Sequence, residues 1–331
     1  MPLRLPDVTL CCVDTTDRLP WAVRALERCV ADIVFGDAFL ATDAAALAGL
    51  RLPPGVRGEV IEPLRSIDAY SRFMIERLAP FVRTPYVLIV QWDGFVLDAS
   101  RWTDEFLQVD YLGAPWHYHE APYRVGNGGF SLRSRRLLQA LPALPADFQE
   151  PEDRFICRTW RPEAERQGLR FASPELAARF STDFGDLDHR PFGFHGPVHF
   201  PEVLGVDATA EYLASLDPSR QLATRASRDV MLGLMADLER LRPRRPELQA
   251  LRPRLSAHLQ RAIAAVDPAA IGPAELERLA RGLVRHGYRQ AATALLAVAA
   301  PVLDGGTRRS LQARLVLRRL QRRLRGAPLD G

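Results

Sequence analysis

Four short strand-like stretches near the start of the chain limit what it can fold into: the apolar runs 8–13, 33–41, which Gly36-Asp37 interrupts, and 86–90, with 59–63 as a third strand between them. Runs of this length, closed off by turn residues such as Asp14-Thr15-Thr16 and Pro53-Pro54-Gly55, are the size of buried strands and too short for helices. Between them lie stretches with helical spacing. After Pro20 one face carries Trp21, Val23, Leu26, Cys29 and Val30, and over 67–82 another carries Tyr70, Phe73, Met74, Leu78 and Phe81. Strands alternating with helices at this interval predict an α/β sandwich with a largely parallel sheet. Ligands of such sheets bind beyond the carboxyl ends of the strands, where loop amides and helix N-termini converge. Asp14 follows the first run and Asp93 the fourth, so both are expected at that edge.

Beyond about Val206 the strand signals stop and the chain becomes rich in Arg, Leu and Ala. The expected organisation is therefore an α/β domain over 1–205 and an all-helical C-terminal domain over 206–331. Helices are expected at 208–215, 226–241, 248–266, 273–287 and 289–302, with a last one at 308–325, in a pattern suited to helical hairpins but without a clear repeat register. With 331 residues, 47% of them hydrophobic, the chain can bury two cores.

All 44 basic residues are arginine, which excludes a P-loop lysine, a Schiff base and a lysine general base. Against 40 acidic residues they leave a net charge of +4, so no nucleic-acid partner is expected. Cys11, Cys12, Cys29 and Cys157 lack C-x-x-C spacing and read as buried thiols of a reducing compartment. The opening MPLRLPDVTL lacks a signal-peptide apolar core, and no run approaches the roughly 20 apolar residues of a membrane span, so a cytoplasmic location is expected.

Four clusters carry chemistry. In Gln91-Trp92-Asp93-Gly94-Phe95 a carboxylate closes a strand and can hold a divalent cation, although an aspartate-glycine turn looks the same. Asn127, Gly128 and Gly129, within VGNGGFSLR, let the backbone approach a ligand closely and offer an amide to hydroxyls; a plain Gly-rich hairpin is the alternative. Glu152 and Asp153 are either helix-capping acids or a general base, with Asp153 preferred. His195, between glycines and aromatics, is free to meet a metal or a diphosphate oxygen, though a lone histidine is more often structural.

In order, VLIVQWDGFVLD, WTDEFLQVDYLGAPW, VGNGGFSLRSRRLL, PEDRFIC, FASPELAARFS and PFGFHG resemble domain of unknown function 5672, a bacterial family similar to GT-A type glycosyltransferases. The resemblance implies a GT-A-like fold over about 8–204. It implies a nucleotide-sugar donor, Mn²⁺ or Mg²⁺ held by Asp93 and His195, and a glycan or lipid-linked acceptor, as in polysaccharide biosynthesis. Asp14, Thr15, Thr16, Gln91 and Gly94 would lie along the nucleotide and its diphosphate. Trp116, Asn127, Gly128 and Gly129 would meet substrate, with His117 and Tyr118 beside Trp116. Asp153 as base implies an inverting displacement. Gln91 stands where the first aspartate of a D-x-D-type motif is expected, and its neutral amide is a poorer cation ligand. The alternative is a non-catalytic nucleotide-sugar or carbohydrate binding scaffold. The last helix pairs Leu311, Leu315, Leu320 and Leu324 with dense arginine, which fits either packing on neighbouring helices or peripheral contact with an anionic membrane. The helical domain also offers a surface for a protein partner.

Overall fold

The computed structural model describes residues 1–117 and 119–324, with side chains through Leu317. Tyr118 and Arg325 therefore lie outside the described residues, as do the side chains of Leu320 and Leu324. Contacts group the chain into one unit, Met1–Gly196, and a second that begins at Pro197, ahead of the expected 205/206 junction.

The strands of the first unit are β1 (Leu3–Val13), β2 (Ile33–Thr42), β3 (Arg57–Val60), β4 (Tyr86–Val90), β5 (Tyr111–Leu112), β6 (Ala114–Pro115), β7 (Val125–Gly126), β8 (Phe130–Ser134), β9 (Ser181–Thr182) and β10 (Gly193–Phe194). Six of them form the main sheet in the order β3-β2-β1-β4-β8-β5. The first four are parallel to one another, while β8 runs antiparallel to both β4 and β5. The remaining strands form two small ribbons, β6 with β7 and β9 with β10.

β1, β4 and the second half of β2 are covered on both faces, whereas β3, at Arg57–Val60 and not at the expected 59–63, is an edge strand with no buried residue. From Val8 to Val13 every β1 residue is buried, the mark of a central strand and not of a half-solvated one. One side of the sheet sends Cys11, Val13, Phe39, Ala41, Val87 and Ile89 into a cluster completed by Phe73, Met74 and Leu78. The alternate residues Leu10, Cys12, Leu88 and Val90 are equally buried. Fully burying such a side chain is worth about 1.5–3 kcal/mol, so this sheet is the main stabilising body of the unit. All four cysteines are buried free thiols, and burial pushes the Cys29 thiol up to about 12.

The helix expected over 67–82 is interrupted. An α-helical turn, Ile67–Arg72, capped by Ser66, runs into a π-helical turn, Phe73–Arg77, and then a 3-10 turn, Ala79–Phe81. A second π-helical turn, Phe155–Thr159, follows the short Glu152–Arg154 helix.

The second unit is helical, as expected, with main helices at Phe200–Ser215, Arg225–Leu241, Leu251–Ala265, Pro273–His286, Arg289–Val298 and Gly305–Leu324. Gly205, at φ 75°, kinks the first, and Gly287 closes Pro273–His286 in the left-handed conformation that favours glycine. Leu311 is buried, and its helix lies against Pro273–His286, which accords with packing for that part of the leucine stripe. Among the described residues no helix is long and apolar enough to cross a membrane.

Candidate active site

The strand order reverses at β1, with β2 and β3 on one side and β4 on the other. In an open parallel sheet that reversal leaves a crevice beyond the carboxyl ends of the two strands beside it, because their outgoing connections diverge. β1 and β4 are in register with Cys12 opposite Val90, so Asp14-Thr15-Thr16 and Gln91-Trp92-Asp93 leave the sheet side by side. β8 starts where β4 ends, with Phe130 opposite Val90. Its antiparallel course therefore brings the preceding Asn127-Gly128-Gly129 loop to the same edge.

These loops wall a cavity of about 630 Å³, lined also by Leu64 to Ile67 and Tyr70, and by Glu152, Asp153 and His195. Three expected site residues are not on its wall. Asp93 is buried beside it, its Oδ1 3.4 Å from Nε2 of His195. Gly94 turns the chain behind it, packed against the Phe194 carbonyl and the His195 ring. Trp116, expected to face substrate, is 4% exposed in the core with Tyr111 and Trp160, its ring lying across Gly126. A buried indole cannot stack on a sugar.

Asp14 accepts from the Thr16 amide at 2.7 Å and so shapes its own turn. Its carboxyl pKa is raised, first by burial and further by the nearby Asp93. Thr15 ties the turn to the loop after β3: its hydroxyl donates to the Leu64 carbonyl at 3.2 Å and accepts from the Leu64 amide at 2.9 Å. Gln91 donates from Nε2 to the Tyr70 hydroxyl at 2.8 Å, which turns Oε1 towards His195 Nε2, 3.3 Å away. Arg18 lies over the Trp92 ring at 5.2 Å.

Asn127 takes a left-handed φ of 68°. Its Oδ1 accepts from the amides of Gly129 and Phe130, which orients Nδ2 towards His195 Nδ1 at 3.0 Å. The two glycines are required by proximity. A Cβ on Gly128 would lie 2.0 Å from Glu152 Oε1, and one on Gly129 2.1 Å from His195 Nε2.

The acidic pair divides its work. Glu152 is buried and locked to Arg133, whose Nη2 donates to Oε1 at 3.0 Å; its amide donates to Ser71 Oγ. An acid so engaged is poorly placed to take a proton. Asp153 faces the cavity, and its Oδ2 accepts from the Gly128 amide at 3.1 Å. Burial, then the adjoining Glu152, push its carboxyl up to about 6, against the lowering effect of Arg133.

His195 sits between two carboxylates. Nδ1 is 3.0 Å from Asp183 Oδ1, and Nε2 faces Asp93. Burial works against its imidazolium, but Asp93 and Asp183 outweigh burial and push its pKa well above the ordinary value. So charged, His195 faces a carboxylate from each ring nitrogen, and Nε2 would ligate a cation only after giving up its proton, with Nδ1–H held by Asp183. Asp93 Oδ1 is buried without a hydrogen bond, and the Gln91 amide oxygen is adjacent. Among the described residues no three His, Cys, Asp or Glu side chains gather around one point. Around Nε2 of His195 the described residues bring only the Asp93 carboxylate and the Gln91 amide oxygen, fewer donors than a cation site built by the protein alone.

Asp183, Tyr70, Arg133 and Arg65 escaped the sequence reading. Tyr70 and Arg133 lie inside stretches that stand out for other residues, while Asp183 and Arg65 lie in stretches with no local pattern; in each case only the fold brings the side chain to the site or to the residues behind it.

Residues 60–195 match the family described as "Protein of unknown function (DUF5672)". No curated protein matches the chain significantly. Among solved structures it is similar to the mannosyltransferase PcManGT of Pyrobaculum calidifontis, solved with GDP-Man and Mn²⁺. That likeness has 15% identity over 89% of this chain and 88% of that one, at a TM-score of 0.36. TarS of S. aureus, residues 1-349, matches at 12% identity over 89% and 90%, at 0.35. A glycosyltransferase involved in glycosylating the major capsid of PBCV-1 matches at 11% identity over 57% and 91%, also at 0.35.

Proposed function

We propose, from a chain whose residues 60–195 match DUF5672, that this protein transfers a glycosyl group from a nucleotide-sugar donor to a hydroxyl acceptor with inversion. The observation that supports this most is the single cavity shared by the Asp14-Thr15-Thr16 turn, the end of β4, the Asn127 loop, Asp153 and His195. The nucleotide lies along the turn after β1, with Ile67, 71% exposed on the wall, offering apolar contact to the base. Arg65 on the same wall faces the diphosphate. Asn127 and the amides beside it hold the sugar hydroxyls.

The acceptor oxygen attacks the anomeric carbon as the bond to the phosphate oxygen breaks. The nucleoside diphosphate leaves with that electron pair, and the acceptor proton passes to Asp153. A base with a pKa near 6 is mostly ionised at neutral pH yet still basic enough to help. The Gly128 amide at Oδ2 and the Arg154 amide at Oδ1 fix the carboxylate on the cavity wall, and the remaining lone pairs would take the proton. Asp93 and His195, with the Gln91 amide oxygen, would hold a Mn²⁺ or Mg²⁺ that neutralises charge on the departing diphosphate. Asp183 keeps the His195 ring turned for that role.

A screen of nucleotide-sugars for donor turnover tests this, with Asp153→Asn and Asp93→Asn as controls. Turnover by the wild type, and its loss in both folded variants with nucleotide binding retained by Asp153→Asn, is the expected result. Gln91 favours a second reading, a non-catalytic nucleotide-sugar binder, because an amide replaces a carboxylate at the cation site. Tight metal-independent binding with no turnover of any donor would decide for that reading.

A further inference from the structure

A second cavity of about 630 Å³ shares no wall residue with the first, yet two contacts to His195 join them: its Asp183 holds the Nδ1 side of the ring, and its Thr182 carbonyl accepts from the His195 amide. The wall sets Arg101, Arg179 and Arg190 around Phe184, with Asp183 and Asp186 alongside. Phe184 is 57% exposed, an unusual state for a phenylalanine, and presents its ring to whatever enters. Arg101 and Arg179 are braced by Asp98 at 3.8 Å and Glu105 at 2.6 Å, neither of which lines the cavity. Arg190 forms no close ion pair among the described residues, and its charge acts on Asp98, the acid that braces Arg101. Its backbone is held at φ 49°; Asn127, in the first cavity, is the other described non-glycine residue with positive φ. Strained backbone of this kind persists where the surroundings enforce it and collects at ligand sites.

We propose that this cavity binds an oligosaccharide bearing carboxylates, a uronic-acid-containing glycan; a chain long enough to reach Asp153 from here is the acceptor of the transfer described above, and to that extent the proposal rests on that reading. Guanidinium groups match a carboxylate with paired hydrogen bonds. The Phe184 face suits the apolar face of a sugar ring. Asp183 and Asp186 would repel a bare anion but accept hydrogen bonds from hydroxyls, so the wall selects a ligand with both groups. An acidic peptide offers the charge without the hydroxyls, and a neutral glycan offers the reverse. An occupant at Asp183 also touches the side chain that orients His195, which links the two cavities chemically.

The test is calorimetric titration of the full chain with a galacturonic acid tetramer, the neutral galactose tetramer and a short polyglutamate. The acidic glycan is expected to bind at least about tenfold more tightly than either comparator. Arg190→Gln and Phe184→Ala should each weaken it by about tenfold while leaving UDP and GDP binding unchanged. Equal binding of the neutral glycan or of polyglutamate overturns the proposal, as do two variants that bind like the wild type. Phe184→Ala alters an exposed ring and keeps the test available should Arg190→Gln disturb its strained turn. Donor turnover is read separately on the same samples: its absence would sink the transfer reading, while uronate binding still decides this one.

Discussion

An ionised Asp153 works against the fold that holds it. Burial and Glu152 raise its pKa from 3.8 to about 6, so between those values the folded chain holds the proton more tightly than the unfolded one. The stability contributed by the protonated form is fully present below 3.8 and is lost as pH rises through about 6. Asp153→Asn removes the charge but sets its NH2 against one of the two amides the carboxylate accepts from, so a gain at pH 7 of on the order of 1 kcal/mol is expected, and none below pH of about 4. Thermal melts at the two pH values check this, and an unchanged midpoint at pH 7 would contradict it. The same variant should lower kcat by about 10²–10⁴-fold, while wild-type kcat climbs through pH of about 6 to a plateau. Gly129→Ala forces a methyl into the His195 ring; a loss of about 1–3 kcal/mol in urea denaturation is expected, together with lost turnover. At this scale the sequence was informative where unusual residues cluster. Asn127 between glycines, Glu152 beside Asp153 and His195 between glycines each stand out locally. Asp183 does not, because it acquires its partner only when β9 pairs with β10 and sets it against His195. Trp116 misled, since an aromatic beside His117 looks the same whether it faces solvent or the core.

One ion pair joins β8 to the Glu152–Arg154 helix: Arg133, 0% exposed, with Glu152. Arg133→Met leaves a buried carboxylate without its partner and should cost about 3–5 kcal/mol; adding Glu152→Gln should recover much of that loss, as denaturant titrations of both variants would reveal. If the double variant were no more stable than the single, the pair would not be what holds these elements together. β4 and the buried end of β1 were legible because a strand covered on both faces writes itself as an apolar run, and β2 was legible in spite of Gly36-Asp37, whereas the polar start of β1, Leu3 to Asp7, was not. The interruption at Phe73 was not. A π-helical turn followed by a 3-10 turn keeps the apolar residues close enough to helical spacing that the pattern reads straight through. The two-residue strands β5, β6, β7, β9 and β10 are below the length at which any periodicity exists. Nor did the apolar pattern distinguish the direction of β8, although that direction delivers Asn127 to the site.

Every residue on the two cavity walls belongs to Met1–Gly196. A chain ending at Gly196 is therefore expected to bind UDP or GDP within about threefold of the full-length affinity, measured by calorimetry. A loss beyond tenfold would assign part of the binding site to later residues. The change from strands to helices was plain in composition, but the boundary was not, since Pro197 to Gly205 carries neither a charge run nor a linker-like stretch to mark it. The complete burial of all four thiols has a practical consequence in a chain with no lysine. Maleimides and amine-reactive dyes find almost nothing to modify on the native surface. Ile67→Cys, at the rim of the first cavity, would therefore carry a single fluorophore without any background cysteine having to be removed. Its emission would report, in real time, each arrival and departure of a donor.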